Sequence, residues 1–387
     1  MSEVESVVIV GTGAAGYAVA EGLQLNGFTG NVTLVGEEQG DPYDRPPLTK
    51  EILAGKWEPE RATLLAAKRV APLNPTVLSG VRAEGVDVAK QQLTLTGGQV
   101  LDYDALVVAT GVYPRTLPHP ESSNIHVIRT MDQSLALRAQ LGDGVRFVVV
   151  GGGFLGLEAA ATARGLGALV SVVEPVPGPP LANRIGDTAS AMLLALHTDH
   201  DVRVQTGIGV DAIETGEDNA VTLKLSDASR LDADVVLISI GASPTVAWLE
   251  DSGLPLDNGL VCDEFCHAGS GVWGAGDVAS WMHLGYNRRL RLEHRTNAQE
   301  QGQHVAANIL GAHRAFTPVP YFWTDHYDAR IQVGGIIPSD ATAEIVEGNP
   351  DDGSFVQTFS AEGRMLGVLG WNAARAAAQY RRQLSAE

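Results

Sequence analysis

The chain has 387 residues, 44 % of them hydrophobic, which is enough for two or three domains with separate cores. Its formal charge of −19 argues against non-specific binding to nucleic acid or a membrane surface, and no stretch approaches the roughly eighteen apolar residues of a membrane span. Two cysteines, Cys262 and Cys266, are too few for a disulfide framework; with the acidic start Met1-Ser2-Glu3-Val4-Glu5 they set the expectation of a cytoplasmic protein.

The apolar run Val7-Val8-Ile9-Val10 feeds the turn Gly11-Thr12-Gly13-Ala14-Ala15-Gly16 and then Tyr17 to Leu23, which reads as strand, turn and helix. Such a turn suits a dinucleotide pyrophosphate. Gly11 makes it tight, Gly13 lets backbone N–H groups approach the phosphates, and Gly16 lets helix and strand pack closely. A second strand, Val32 to Val35, leads to Glu37, twenty-one residues after Gly16, where a carboxylate accepts hydrogen bonds from an adenosine ribose. The loop Gly40 to Lys50 holds three prolines, expected to exclude a helix before Lys50, and two cations, Arg45 and Lys50. Alternation from Val77 to Leu95, with the turn Gly97-Gly98, reads as a small antiparallel meander, and Leu106-Val107-Val108 as a buried strand ending in Ala109-Thr110-Gly111.

The pattern then restarts. Arg146 to Val150 is an apolar strand, Gly151-Gly152-Gly153-Phe154-Leu155-Gly156 repeats the turn, Leu157 to Ala161 is helix, and the following strand ends at Glu174, eighteen residues beyond Gly156. A duplicated fingerprint predicts two dinucleotides that meet where a hydride can pass between them. Further on come a helix from Thr188 to Leu196, alternation from Val202 to Leu225, and a buried strand from Val235 to Ile240 that ends in Gly241. Gly271 to Ala279 is a short strand entering a turn where Gly276 and Asp277 present backbone N–H groups and a carboxylate together. Helical spacing begins at Asn297 and is expected to end at Pro318; Tyr321 to Glu387 reads as strands and a final Ala- and Arg-rich helix.

Gly11 to Gly16, Tyr43 to Lys50, Ala109 to Gly111, Gly151 to Glu158, Gly274 to Val278, Glu293 to Gly302 and Phe322-Trp323-Thr324-Asp325 occur in the order found in the FAD- and NADH-dependent ferredoxin reductases of bacterial haem monooxygenases and ring-hydroxylating dioxygenases, which the chain resembles. The loop from Tyr43 to Lys50 and the Phe-Trp-Thr-Asp stretch are the specific ones. The resemblance implies an α/β fold with two Rossmann-like dinucleotide-binding domains and a C-terminal α+β domain. Residues 1–113 and 242–315 would bind FAD, 114–241 would bind NAD, and 316–387 would be C-terminal. It implies FAD contacts from Gly11, Gly13, Ala14, Ala15, Gly16, Glu37, Arg45, Lys50, Ala83, Ala109, Thr110, Gly111, Arg129, Gly276, Asp277 and the backbone of Arg295, where several relatives carry Trp. For NADH it implies Gly151, Gly153, Phe154, Leu155, Gly156, Glu174 and Gly241. Residue chemistry agrees for Asp277, placed to bond ribityl hydroxyls, and for Arg129, placed to neutralise phosphate.

By the same resemblance Lys50 lies by flavin N5, Glu158 by the nicotinamide and Trp323 beside the isoalloxazine. A cation near N5 favours the electron-rich reduced flavin, and a carboxylate partner fixes the lysine. The implied activity is hydride transfer from NADH to FAD, then single electrons to a 2Fe-2S ferredoxin, by a monomer or homodimer without a metal. No arginine follows Glu174 in Val176-Pro177-Gly178-Pro179-Pro180, which favours NADH over NADPH. Ferredoxins of this kind are acidic, so docking is expected at Arg288, Arg289, Arg291 and Arg295, extended by Arg375, Arg381 and Arg382. The alternatives are a disulfide reductase, a rubredoxin reductase or NADH oxidase, and an NADH-binding sensor like apoptosis-inducing factor. The thiol-dependent ones need a redox cysteine, whereas Cys262 and Cys266 have Cys-x3-Cys spacing and lie far from Lys50 in sequence.

Overall fold

The structure is a computed structural model that describes residues 4–216 and 219–384, so the acidic start at 1–3 and the chain end at 385–387 lie outside the described residues. Two parallel sheets organise it. The first runs His267–Gly269, Val272–Gly274, Ala105–Val108, Ser6–Val10, Asn31–Gly36, Thr76–Ser79 in space, parallel except for its outer hairpin. The second runs Arg203–Thr206, Leu169–Glu174, Arg146–Val150, Val235–Ile238, Ile125–His126, parallel throughout. Their central strands are apolar at nearly every position because both faces are covered, which is what a parallel sheet demands. Each first strand passes through its glycine turn into a helix, Ala14–Leu25 and Phe154–Gly165 respectively.

Each unit also carries a three-stranded antiparallel meander, Ala83–Asp87 with Gln92–Leu95 and Val100–Asp102, and Val210–Thr215 with Val221–Leu225 and Arg230–Ala233. The segment around Val77, read from alternation as part of that first meander, is instead Thr76–Ser79, an edge strand of the parallel sheet. Alternation shows that one face is covered and not which strand pairs with which. The two chain crossings between the units pair with each other as Val112–Pro114 and Ala242–Pro244, and Thr110 Oγ1 donates to the Thr245 carbonyl at 2.8 Å beside them.

The last region is a five-stranded antiparallel sheet, Tyr321–His326, Ala329–Gly335, Arg364–Trp371, Ser354–Ala361, Thr342–Asn349, with the helix Ala374–Arg381. Its Phe355, Phe359, Leu369 and Trp371 share one core with Phe147, Val149 and Leu157 of the second unit, while the first unit has a core of its own. Two expectations are corrected. Pro46–Thr49 forms a short 3-10 turn, since proline is tolerated in the first turn, where its N–H has no partner to lose. The helix Arg295–Ile309 ends well before Pro318, with Gly311 at φ +91° just beyond it. That helix lies tightly on Ala14–Leu25, because a Cβ at Gly302 would sit 2.6 Å from the Ala15 carbonyl oxygen. Among the described residues no helix is long and apolar enough to cross a membrane.

Candidate functional site

The two glycine turns share one geometry. In the first, a Cβ at Gly11 would meet the Ala109 carbonyl at 2.2 Å and one at Gly16 the Gly11 carbonyl at 1.8 Å. In the second, a Cβ at Gly151 would meet the Ser239 carbonyl at 2.3 Å and one at Gly156 the Gly151 carbonyl at 2.3 Å. The middle glycines differ, for a Cβ at Gly13 or at Gly153 would meet nothing within 4 Å. The outer glycines are therefore required by the protein's own packing, whereas the middle ones leave open space over a helix N-terminus. That is the shape a pyrophosphate needs, and Ala14, Ala15, Phe154 and Leu155 begin the helices behind it. Leu155 is 52 % exposed although apolar.

Lys50 Nζ lies 3.2 Å from Glu158 Oε1 and 3.6 Å from Asp325 Oδ2. Glu158 is only 3 % exposed, and both of its oxygens accept hydrogen bonds. Thr49 Oγ1 donates to its Oε2 at 2.7 Å; Thr324 Oγ1, at 2.7 Å, and the Asp325 N–H, at 3.3 Å, donate to its Oε1. Burial of a carboxylate on this scale needs such partners. One turn after Glu158 on the same helix face, Thr162 Oγ1 donates to the Thr49 carbonyl at 2.7 Å, which fixes the turn carrying Lys50.

A second group gathers at Gly276-Asp277. Arg129 Nη2 is 3.4 Å from Asp277 Oδ2, and a Cβ at Gly111 would lie 2.9 Å from that same Arg129 nitrogen. Arg45 holds Glu38 at 2.7 Å and donates to the Arg129 carbonyl. Burial raises the Asp277 carboxyl above its ordinary range, opposed mainly by Arg129. A half-buried carboxylate with one long ion pair retains acceptor capacity for ligand hydroxyls, and the two guanidiniums can take phosphate. Gln301 Oε1 accepts the Gly276 N–H at 2.8 Å and holds the turn open. Glu37, at the end of the second strand, is exposed and paired with Arg82, the neighbour of the buried Ala83. These residues fit FAD.

On the second unit, Glu174 accepts the Gly152 N–H at 2.7 Å and the Val176 N–H at 2.9 Å, so it stands over the glycine turn. Gly241, at φ +94°, lies against Arg115 at the crossing strands. These residues fit a nicotinamide dinucleotide. The ring nearest Phe154 is Phe322, at 4.9 Å between centroids, and Phe322 also lies 4.9 Å from His294. Trp323, on the alternate face of the strand, is half-buried beside Tyr321, 6.3 Å between centroids. Arg295 carries an ion pair to Asp44.

Residues 5–302 match the family model described as pyridine nucleotide-disulphide oxidoreductase, and residues 321–387 the one described as reductase C-terminal. Rhodocoxin reductase of Rhodococcus erythropolis is 33 % identical over 385 residues, 99 % of this chain and 90 % of the relative. The chain belongs to the ferredoxin reductase branch of the pyridine nucleotide-disulphide oxidoreductase family. Putidaredoxin reductase of Pseudomonas putida is 35 % identical to this reductase over 351 residues, 87 % of the chain and 81 % of the relative. A chain of the crystal structure of the covalent putidaredoxin reductase–putidaredoxin complex superposes on the reductase with a TM-score of 0.92 at 33 % identity, covering 98 % and 92 % of the two chains.

Thr49 and Thr324, which donate to Glu158, and His326, which meets Thr324 at 2.9 Å, have no assigned role in the sequence reading of the reductase. Threonines and a histidine near a motif carry no signal until a buried carboxylate is seen to need donors. The arginine patch is smaller than its sequence density suggests, because Arg291 pairs with Glu293 at 2.8 Å, Arg295 with Asp44, and Arg289 donates to the Cys262 and Ser280 carbonyls. Both cysteines of the reductase are free and buried. Burial pushes the Cys266 thiol up to about 12 and Cys262 well above its usual value, so neither holds the thiolate that disulfide exchange requires.

Proposed function

We propose that the reductase takes hydride from NADH onto FAD and delivers the two electrons singly to a 2Fe-2S ferredoxin that feeds an oxygenase. FAD, when bound, supplies the conversion of a two-electron donor into single electrons. The carrying observation is the buried Lys50–Glu158 pair, held at the join between the two dinucleotide folds. Lys50 brings positive charge to the place where electron density accumulates, and Glu158, fixed by Thr49 and Thr324, keeps the lysine there. Arg129, Arg45 and Asp277 would hold the phosphates and polyol of FAD; the space over Gly153, together with Glu174, would hold NADH.

The relatives support the partner, since they include ferredoxin reductase components of anthranilate and benzene dioxygenase systems. The test is stopped-flow mixing of FAD-loaded reductase with NADH and an oxidised 2Fe-2S ferredoxin. Flavin bleaching followed by the ferredoxin's one-electron spectrum is expected. Rapid bleaching with no ferredoxin reduction across a panel of bacterial 2Fe-2S ferredoxins would overturn the partner assignment.

A further inference from the structure

We infer that Thr324, His326 and His197 form a proton path from Glu158 to the surface at Tyr327, and that it discharges the proton left over from each NADH. This rests on the electron-transfer reading above. NADH surrenders a hydride, which is two electrons and one proton. Two ferredoxins take one electron each, NAD+ departs, and one H+ per turnover must leave; it is taken up at Glu158, only 3 % exposed, where an O–H bond forms as the donor's bond to that hydrogen breaks.

The Thr324 hydroxyl stands between two groups, 2.7 Å from Glu158 Oε1 and 2.9 Å from His326 Nε2. A hydroxyl so placed works in either direction. Toward a charged Glu158 it donates; from a protonated Glu158 it accepts, and passes its own proton to Nε2. With the ring in its Nδ1–H tautomer, which it regains between turnovers, an N–H bond forms at His326 Nε2 as the one at Nδ1 breaks, so the ring conducts without net change of charge. His326 Nδ1 and His197 Nε2 are both buried and have no hydrogen-bond partner among the described residues. The two rings are adjacent, edge to face, with centroids 5.3 Å apart. Unpaired buried nitrogens are costly, and the path takes one water between them, which would satisfy both. On the far side His197 Nδ1 meets the Tyr327 hydroxyl at 3.4 Å, and the half-buried Tyr327 ring stacks on exposed His200 at 3.7 Å, where the path reaches solvent.

The charged surroundings suit conduction. Burial, and after it the charge of Lys50, holds His326 down to about 3; the Leu157 backbone favours its charged ring without a well-formed bond to Nδ1. Burial, then His326 and His200, holds His197 down to about 3, and Arg164 stands near Tyr327 at the exit. Rings kept neutral in this way pass a proton without storing it.

The test is a single turnover in weak buffer with a pH-indicator dye, mixing NADH-reduced enzyme with ferricyanide and, separately, with ferredoxin. In the wild-type enzyme proton release keeps pace with electron loss. His326→Gln keeps a hydrogen bond to Thr324 but has no second ring nitrogen, so proton release should lag about a hundredfold, with recovery in high imidazole. His197→Gln should lag in the same direction, and decides the matter if His326→Gln fails to fold. A readout without turnover is the ring-nitrogen NMR of the resting FAD-loaded enzyme, in which Glu158→Ala should change the His326 tautomer, because the Thr324 hydroxyl loses the carboxylate that accepts it and turns to His326 Nε2. Proton release in step with electrons in both variants, or a His326 resonance indifferent to Glu158→Ala, would overturn the path. Ferricyanide alone reports on the relay, so a failure confined to ferredoxin counts against the partner and not against the path.

Discussion

Lys50 Nζ reaches Glu158 Oε1 at 3.2 Å from a turn 108 residues earlier in the chain, and Asp325 closes on the same lysine at 3.6 Å from the C-terminal sheet. Three regions therefore meet on one cation. Lys50→Met should lower the rate of flavin reduction by NADH about a hundredfold while FAD stays bound, in line with the loss of one preorganised charge. Glu158→Gln keeps the shape and leaves Lys50 with Asp325, so its stability cost should be about 2 kcal/mol or less. Stopped-flow absorbance and urea unfolding measure the two, and wild-type flavin reduction in Lys50→Met would refute the role.

Nucleotide choice should follow Glu174. A carboxylate above the glycine turn accepts from a ribose 2′-hydroxyl and repels a 2′-phosphate, so kcat/KM for NADH should exceed that for NADPH. Glu174→Ala should narrow the ratio and raise KM for NADH, because the Gly152 and Val176 N–H groups lose their acceptor as well. A wild-type enzyme equally fast with both nucleotides contradicts this.

Trp323 and Phe322 lie on opposite faces of one strand and should separate in function. Phe322→Ala removes the packing against Phe154 and His294 and should weaken NADH reduction of the flavin. Trp323→Ala should leave FAD bound and NADH reduction intact but slow ferredoxin reduction. The idea fails if Trp323→Ala has an unchanged flavin spectrum and unchanged turnover.

Ferredoxin docking should depend on Arg288 and Arg289, since Arg291 and Arg295 already face Glu293 and Asp44, whereas Arg289, held by backbone carbonyls, keeps a charge that no acid among the described residues pairs with. Reversing both to Glu should raise KM for an acidic ferredoxin and flatten its salt dependence, with NADH reduction of the flavin unaffected. Unchanged KM across salt in the double variant would move the electrostatic contact elsewhere.

Acid should destabilise the protein earlier than carboxylate titration alone would. His326 and His197 are held at about 3 and His294 at about 4, each chiefly by burial, against 6.5 for an ordinary histidine. Below pH 6.5 the unfolded chain binds protons that the folded chain refuses, so stability falls as pH drops towards the folded values. The slope is up to about 1.4 kcal/mol per pH unit for each group. Melting followed by circular dichroism should show a lower Tm at pH 5 than at pH 7.5, and His326→Gln should flatten the slope. A Tm constant over that interval would rule this out.

The sequence by itself determined both glycine turns, the strand and helix flanking each, and the acids Glu37 and Glu174. These depend on local geometry, where a positive φ or a close carbonyl leaves room only for glycine. It also marked Lys50, Glu158, Arg129 and Asp277, through resemblance more than through any property of those residues. Tertiary structure alone decided the rest. Strand pairing placed Thr76–Ser79 at a sheet edge, a merged core tied the C-terminal sheet to the second unit, and neighbouring acids neutralised half of a conspicuous arginine run. Thr49 and Thr324 were brought together only when residues over a hundred positions apart converged on one buried carboxylate. Burial and hydrogen-bond partnership are properties of the packed chain, and no periodicity or spacing encodes them.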